Sequence, residues 1–492
     1  MNLAQLAAAA GVTLPEGASQ DRLDTTVTGF AIDHRKVAPG TVFGAFRGAR
    51  VNGEDFIAAA IEAGAVAVVT APGVTVDGAV AIHDAEPRRA FAKLAAPFFQ
   101  PVPETIVAVT GTNGKTSNVE LTRQLWRMAG LRAASIGTLG VTTSDETVST
   151  GLTTPDVVTF LANLTGLARE GVTHLAYEAS SHGLSQFRNE GPRVTAGAFT
   201  NLSRDHLDYH ADMDDYFAAK MRLFDEVVAP DGTAVIWADD EWSDKAVAHA
   251  EARGLKVFTV GTKGTGIRLL SRTPGALGQV LEIEHEGKQR RIDLPLIGAY
   301  QAANALVSAG LVLACGGEPY ATFDAMKRLV TVRGRLERAG LTMVGAPIYV
   351  DYAHTPDALE AAIAALRPHV TGRLIVVFGA GGDRDRGKRP QMGRVACEGA
   401  EVVIVTDDNP RGEDPNAIRA EVLAGCDDKA RDIGDRREAI FAAVVEAKAG
   451  DIVLVAGKGH EQGQIIGSGA DARVLPFDDV TVAREMAGTH GR

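Results

Sequence analysis

The sequence predicts an α/β protein of two or three domains. Three observations carry this expectation. The 492 residues exceed the roughly 250 to 300 that one core usually organises. A strand, a glycine-rich turn and a helical pattern follow one another from Thr105 to Met128. A second series of apolar strands, each running straight into polar, glycine-rich residues, begins near Arg373.

The first element is the Ala-rich stretch Leu3–Val12. An export signal carries positive charge ahead of its apolar segment, whereas the first basic residue here is Arg22, so the stretch reads as a short helix. The segment to Pro97 reads as a small α/β domain, with strands over Val27–Asp33 and Ala65–Thr70 and a helix over Asp55–Ala63 between them. Pro97 to Pro103 holds three prolines, which lack a backbone donor, and reads as a linker. From Thr105 the alternation of strand, turn and helix is that of a parallel sheet. In the last third, Leu374–Phe378, Val402–Thr406 and Ile452–Val455 read as strands whose following loops share one site, since ligands collect at the carboxyl ends of such strands.

Composition bounds the function. Apolar residues are 45% and charged residues 23% of the chain, a soluble balance. No apolar run reaches the roughly 20 residues that span a bilayer, so no membrane insertion is expected. Three cysteines, Cys315, Cys397 and Cys426, are odd in number and far apart, which disfavours a disulfide framework or zinc knuckle and fits a reducing cytoplasm. The formal charge of −12 makes nucleic acid an unexpected partner, so any phosphate site must be a local pocket.

Such a pocket is legible at Thr110-Gly111-Thr112-Asn113-Gly114-Lys115-Thr116-Ser117, between the strand Ile106–Val109 and a helical pattern. Glycines allow backbone N–H groups to turn toward a polyphosphate, the helix N-terminus adds its dipole, Lys115 adds a point charge, and Thr116 can ligate magnesium. The loop is shorter than the common P-loop, because Val109 stands where its first glycine would be. Thr173–Tyr177 reads as a strand ending at Glu178, which is either placed to bind magnesium or is a solvated strand-end carboxylate. After the strand Ala196–Thr200, His206 in Asn201-Leu202-Ser203-Arg204-Asp205-His206-Leu207-Asp208-Tyr209-His210 is either a loop residue or, beside a phosphate loop, a metal ligand.

Together the phosphate loop, Tyr177-Glu178-Ala179-Ser180-Ser181-His182-Gly183-Leu184 and Asn201–His210 resemble the Mur ligase family. Gly298–Ala305, Val332–Glu337 and Val350–Asp357 extend the resemblance, in order, over nearly the whole chain. It implies a small α/β UDP-binding domain (1–97), a central P-loop-type parallel-sheet ATPase domain (98–333) and a C-terminal Rossmann-like domain that brings the incoming amino acid (334–492). It implies ATP contacts at Gly111 to Ser117, Asn304, Arg335 and Asp351, and catalytic roles for Lys115, His206 and Lys220. Magnesium, two ions, would be held by Thr116, Glu178, His206 and a carbamylated Lys220. The UDP-muropeptide would meet Asp33, His34, Arg35, Thr153, Thr154, Ser180, Gln186 and Arg188. Two positions depart from the family pattern, His34 where a serine is common and Leu152 where an asparagine often stands.

Family members differ in the amino acid they add. Asp408-Asn409-Pro410-Arg411 resembles the diaminopimelate type, in which an arginine fork suits the distal carboxylate of that amino acid. Arg384, Gly457 and Glu461 are implied as further contacts, Glu461 pairing with the distal ammonium. The implied reaction joins meso-diaminopimelate to the D-glutamate of UDP-N-acetylmuramoyl-L-alanyl-D-glutamate through an acyl phosphate, in a cytoplasmic monomer making peptidoglycan precursor. The alternatives are a lysine-adding or D-Ala-D-Ala-adding ligase of the same family, a folylpolyglutamate synthetase-like ligase, a P-loop kinase or transport ATPase, and a non-catalytic UDP-sugar sensor.

Overall fold

The computed structural model describes residues 1–48, 51–144, 146–148, 153–207, 209–275 and 278–489. Leu152 and Asp208 lie outside the described residues. The chain divides into two compact units, Met1–Thr259 with Gly310–Gly317, and Val260–Ala309 with Glu318–Arg492.

In the first unit, the helix Leu3–Ala10 starts at Asn2, whose side chain accepts from Gln5 N while the Gln5 side chain accepts from Asn2 N. This reciprocal cap satisfies two of the helix's orphan donors. Gly11, at φ 62°, closes the helix in the left-handed conformation. Leu3 and Leu6 then pack with Val42, Val69, Phe91 and Leu94 over a parallel sheet of four strands: Gly29–Ala31, Thr41–Gly44, Ala65–Thr70 and Val80–His83. The first of these is shorter than the expected Val27–Asp33. The Asp33 side chain accepts from Arg35 N and turns the chain into a 3₁₀ helix over His34–Lys36. The helix expected over Asp55–Ala63 is Ile57–Glu62, because Asn52 caps a separate 3₁₀ turn over Gly53–Phe56. The proline-rich stretch 97–103 carries no helix or strand.

The second sheet of this unit runs Val228–Trp237, Val194–Phe199, Thr105–Thr110, His174–Glu178, Ala133–Gly137, then the antiparallel edge Gly140–Thr142 and Thr147–Val148. Its first five strands are parallel. Ile106 to Val109 are fully buried, as a central strand covered on both faces must be, which is why the strand reads as an unbroken apolar run. Thr105–Thr110 lies between His174–Glu178 and Val194–Phe199. Parallel pairing brings the carboxyl ends of these three strands to one edge of the sheet.

The second unit contains an antiparallel meander, Ile267–Gly275, Gly278–His285 and Lys288–Leu294. It also contains a six-stranded sheet in the order Glu337–Leu341, Pro347–Asp351, Ile452–Ala456, Leu374–Phe378, Val402–Val405, Ala430–Asp432. All pairs but the first are parallel. Helices Pro356–Leu366, Lys388–Gly399 and Pro415–Leu423 bury one face through Leu359, Met392 and Val422. Helices Arg436–Glu446 and Asp479–Thr489 bury the other through Ile440 and Ala483. This is a doubly wound, Rossmann-like arrangement, as the family resemblance implies. Among the described residues no helix is long and apolar enough to cross a membrane.

Candidate functional site

The strand Thr105–Thr110 ends in a loop with Gly111 at φ 144° and Gly114 at φ 88°, then enters the helix Lys115–Met128. Side chains rarely adopt these φ values, and a Cβ at Gly111 would also sit 3.1 Å from Asn201 O. The loop is braced by the residues that follow Val194–Phe199. Thr112 N donates to Asn201 O at 2.9 Å, Asn113 N to Asn201 Oδ1 at 2.8 Å, and Thr200 Oγ1 to Asn113 O at 2.7 Å. Ser203 N donates to Thr112 Oγ1 at 3.0 Å, and the same hydroxyl lies 3.3 Å from Tyr216 OH. Thr116 and Ser117 are buried in the first helical turn. Lys115 Nζ folds back to donate to Gly111 O and Thr112 O at 2.9 and 2.8 Å.

Lys220, on the helix Met213–Arg222, is also brought here. It is buried, its Nζ donates to Gly111 O at 2.8 Å, and it lies 4.3 Å from the centre of the Tyr216 ring. Burial first, then the charge of Lys115, holds its amine well below the usual lysine range. His206 has φ 54° and lies 5.9 Å from the Tyr216 ring and 5.0 Å from that of His182.

Glu178 ends its strand buried. Its Oε1 accepts from Thr138 N at 2.7 Å and its Oε2 from Thr138 Oγ1 at 3.2 Å. The same Thr138 hydroxyl lies 3.1 Å from Thr153 Oγ1. Thr154 Oγ1 meets Glu178 O and Ser180 Oγ at 3.0 and 2.9 Å. Arg188 Nη1 donates to Thr154 O at 2.8 Å and Nη2 to Gln186 Oε1 at 2.7 Å, and Gln186 Nε2 donates to Tyr209 OH at 3.2 Å. Thr153, Thr154, Ser180, Gln186 and Arg188 thus form one polar network with Glu178.

Asp33, His34 and Arg35 make a separate feature, with no hydrogen bond to that network among the described residues. Arg35 chelates Asp33 at 2.7 and 2.9 Å, which brings the Asp33 carboxyl down to about 2. His34 stacks on Phe56 at 4.3 Å with the rings 5° from parallel.

In the second unit, Asp351 ends the strand Pro347–Asp351 and accepts from Leu336 N at 2.7 Å, Ala353 N at 2.9 Å and Tyr300 OH at 3.4 Å. Burial nevertheless raises its carboxyl above the usual range. The Arg335 guanidinium lies 4.5 Å from the Tyr352 ring centre, and Gln301 Nε2 donates to Arg335 O at 3.0 Å. Asn304 is buried one turn beyond Gln301 on the helix Ala299–Ala314.

The loops after Leu374–Phe378, Val402–Val405 and Ile452–Ala456 do converge. Arg411, at φ 49°, donates from Nη1 to Gly382 O at 2.9 Å. Burial, then the nearby Arg384 guanidinium, lowers its pKa, so two like charges face one region. Opposite in charge, Glu461 Oε2 accepts from Asn409 Nδ2 at 2.8 Å, and burial with the neighbouring Asp408 raises the Glu461 carboxyl. Pro410 precedes Arg411 in this loop. Gly457 has φ 115°, and a Cβ there would lie 2.9 Å from Asp408 Oδ2. The loop is docked on the hairpin Gly463–Ile466/Arg473–Pro476 through Arg411 N to Ile465 O at 3.1 Å and Gly467 N to Arg411 O at 2.7 Å.

Sequence reasoning missed Asn201, Thr200, Tyr216 and Lys458 as parts of these sites. One structural signal picks out the neighbourhoods. Of the six described non-glycine residues with positive φ, His206 and Arg411 are predicted site residues, and Phe187, Leu336 and Asp383 each adjoin one. Such conformations cost about 1 to 3 kcal/mol and persist where surrounding structure enforces them.

Comparison with known proteins supplies what geometry alone does not. The family models described as "Mur ligase family, catalytic domain", "Mur ligase middle domain" and "Mur ligase, glutamate ligase domain" match residues 26–131, 109–312 and 334–459. A UDP-N-acetylmuramoyl-L-alanyl-D-glutamate--2,6-diaminopimelate ligase of Zymomonas mobilis is 60% identical over 469 residues, covering 95% of this chain and 96% of that protein. One of the same name from Bradyrhizobium diazoefficiens is 53% identical, covering 92% and 93%. A solved structure of a ligase so named superposes with a TM-score of 0.74 at 32% identity, covering 100% of this chain and 99% of the other.

Proposed function

The chain belongs to the Mur ligase family, an ATP-dependent amide-bond-forming ligase, and we propose that it joins meso-diaminopimelate to the D-glutamate of UDP-N-acetylmuramoyl-L-alanyl-D-glutamate in peptidoglycan precursor synthesis. The observation that carries the choice of amino acid is the pairing of opposite charges in the second unit. Arg411 and Arg384 present guanidinium groups, and Asp408 and Glu461 present carboxylates, on loops at one sheet edge. Diaminopimelate has a carboxylate and an ammonium at its far end, whereas lysine has only the ammonium, so the paired guanidinium groups favour the former.

In the proposed reaction the D-glutamate side-chain carboxylate attacks the γ-phosphorus of ATP, forming an acyl phosphate and releasing ADP. The amine of diaminopimelate then attacks the acyl carbon, a tetrahedral intermediate forms, and phosphate leaves as the amide closes. The residues orient and neutralise rather than bond covalently. In this reading Gly111 to Ser117 cradle the phosphates and Lys115 exchanges its loop carbonyls for phosphate oxygens. Asn304, Arg335 and Asp351 serve the nucleotide, and Asp33, His34, Arg35, Thr153, Thr154, Ser180, Gln186 and Arg188 serve the UDP-muropeptide.

Magnesium at Thr116, Glu178, His206 and Lys220 would supply neutralisation of the phosphate oxygens. The donor chemistry fits on one condition. Among the described residues no three His, Cys, Asp or Glu side chains are grouped to hold a metal, so the Thr116 and Glu178 oxygens would need completing by phosphate oxygens, water or a further oxygen ligand from the chain. Carbamylation would give Lys220 such an oxygen ligand, and burial with the charge of Lys115 favours its neutral amine, the form that reacts with carbon dioxide.

We assign the domains as 1–97, 98–333 and 334–492, supported by a family match that begins at residue 334, and take the acting species to be a cytoplasmic monomer. The test is ATP-dependent phosphate release with the UDP-muramoyl dipeptide and each of diaminopimelate, lysine and D-Ala-D-Ala. Release with diaminopimelate alone is expected. Equal release with lysine would overturn the amino-acid assignment, and release requiring no acceptor would overturn ligation.

A further inference from the structure

Lys458 is a buried cation that none of the roles above uses. It is fully buried, between Gly457 and Gly459, and its Nζ donates to Asn409 Oδ1 and Gly463 O, each at 2.8 Å. The same nitrogen lies 3.3 Å from Asp408 Oδ1 and 3.6 Å from Glu461 Oε2. Gly459, at φ 54°, permits this close fit, because a Cβ there would sit 2.7 Å from the Tyr352 side chain and 2.8 Å from Gly334 O.

The consequence falls on Asn409. Its Oδ1 accepts from both Lys458 and Ile465 N, at 2.8 and 2.9 Å, so its Nδ2 is turned to donate to Glu461 at 2.8 Å. A flipped carboxamide would oppose N–H groups to an ammonium. Asp408 Oδ1 is buried and lies 3.3 Å from the Lys458 ammonium, so the Asp408 carboxylate is tied to Lys458 as Glu461 is. Asp408 and Glu461 are thus two carboxylates gathered on one buried ammonium, with the Arg411 and Arg436 guanidinium groups nearby.

We propose that Lys458 is a positioning residue for the amino-acid subsite, fixing the Asn409 carboxamide and holding Asp408 and Glu461 together as a receptor for the substrate's distal ammonium. Lys458 acts through these side chains, being sealed from substrate itself. The inference rests on the assignment of this loop cluster to the incoming amino acid. Glu461 is faced by Asp408, Asn409, Arg411, Lys458, Arg436 and Tyr352. Removing the Lys458 charge takes away one of the cations that oppose its protonation, so the carboxylate form needed to receive an ammonium appears only at higher pH.

The experiment compares Lys458→Met with the parent enzyme, measuring KM for diaminopimelate, ATP and the UDP-muramoyl dipeptide across pH. The expected result is a KM for diaminopimelate raised roughly 10- to 100-fold, the range for losing hydrogen bonds to charged groups. Its acid limb should move to higher pH, and the other two KM values should stay within about twofold. Equal changes in all three KM values, or a pH profile superimposable on the parent's, would reduce Lys458 to a structural staple and overturn the proposal. If Lys458→Met does not fold, Asn409→Asp keeps the acceptor for Lys458 but faces Glu461 with an oxygen, and must reproduce the selective rise. A parent enzyme inactive with diaminopimelate sinks the functional assignment instead, so the two failures are distinguishable.

Discussion

Lys115 and Lys220, 105 residues apart in sequence (220 − 115), both donate to the carbonyl oxygen of Gly111, at 2.9 and 2.8 Å. Two full ammonium groups on one oxygen would repel. Lys220 is fully buried and Lys115 half-buried, and burial with the charge of Lys115 disfavours the charged form of Lys220.

The first prediction concerns that asymmetry. Protein equilibrated with carbon-13 bicarbonate should show a carbamate resonance that Lys220→Met lacks. Lys220→Ala should lose at least about 100-fold in kcat, the scale of one electrostatic contact made in the transition state. Short carboxylic acids should restore part of it. Full activity of the alanine variant would sink the assignment.

A second prediction concerns the brace on the phosphate loop. Asn201 makes hydrogen bonds to Asn113 on both its amide atoms, with 2.8 Å from Asn113 N and 3.2 Å to Asn113 O. Asn201→Ala removes both, at about 1 kcal/mol each, and should raise KM for ATP roughly 5- to 30-fold. An unchanged nucleotide titration would show that the loop holds its shape without this side chain.

Arg411→Lys tests the fork. The charge stays, but the planar donors directed by the Gly382 contact go. The preference for diaminopimelate over lysine, read as the ratio of kcat/KM values, should fall by about 10- to 100-fold. A preserved ratio would move the discrimination elsewhere.

The last prediction concerns acid stability. Arg389 is fully buried and donates to Glu413 from Nη1 and Nη2 at 2.9 and 2.8 Å, and to Glu421 at 2.8 Å. The hydrogen bonds from Arg389 bring the Glu413 carboxyl from 4.5 to about 2. A depressed folded-state pKa stabilises the fold above the unfolded value and ceases to do so as pH falls through the folded one. Glu413→Gln should therefore lower Tm at neutral pH, and its deficit should shrink as pH drops from about 4.5 toward about 2. A deficit independent of pH would indicate a loss of packing rather than of charge.

Much of the fold was legible because strands buried on both faces leave unbroken apolar runs. Ala65–Thr70 and Leu374–Phe378 match the sequence expectation residue for residue. The phosphate loop was legible because its strand, glycines, lysine and helix are contiguous, so local geometry dictates the residue types. The helix over Asp55–Ala63 started late, because the Asn52 cap competes for the same backbone groups.

By itself the sequence determined the α/β class, the phosphate loop and the charged loop around Arg411, all written in consecutive residues. The tertiary structure alone decided that Asn201 holds the loop from 88 positions away, and that Lys220 reaches Gly111 across 109. It alone decided that Lys458 is enclosed between Asp408, Asn409 and Glu461. An isolated lysine in a sequence is a solvated cation. Only burial beside particular partners, which depends on which strands lie adjacent, sets its charge and what it can hold in place.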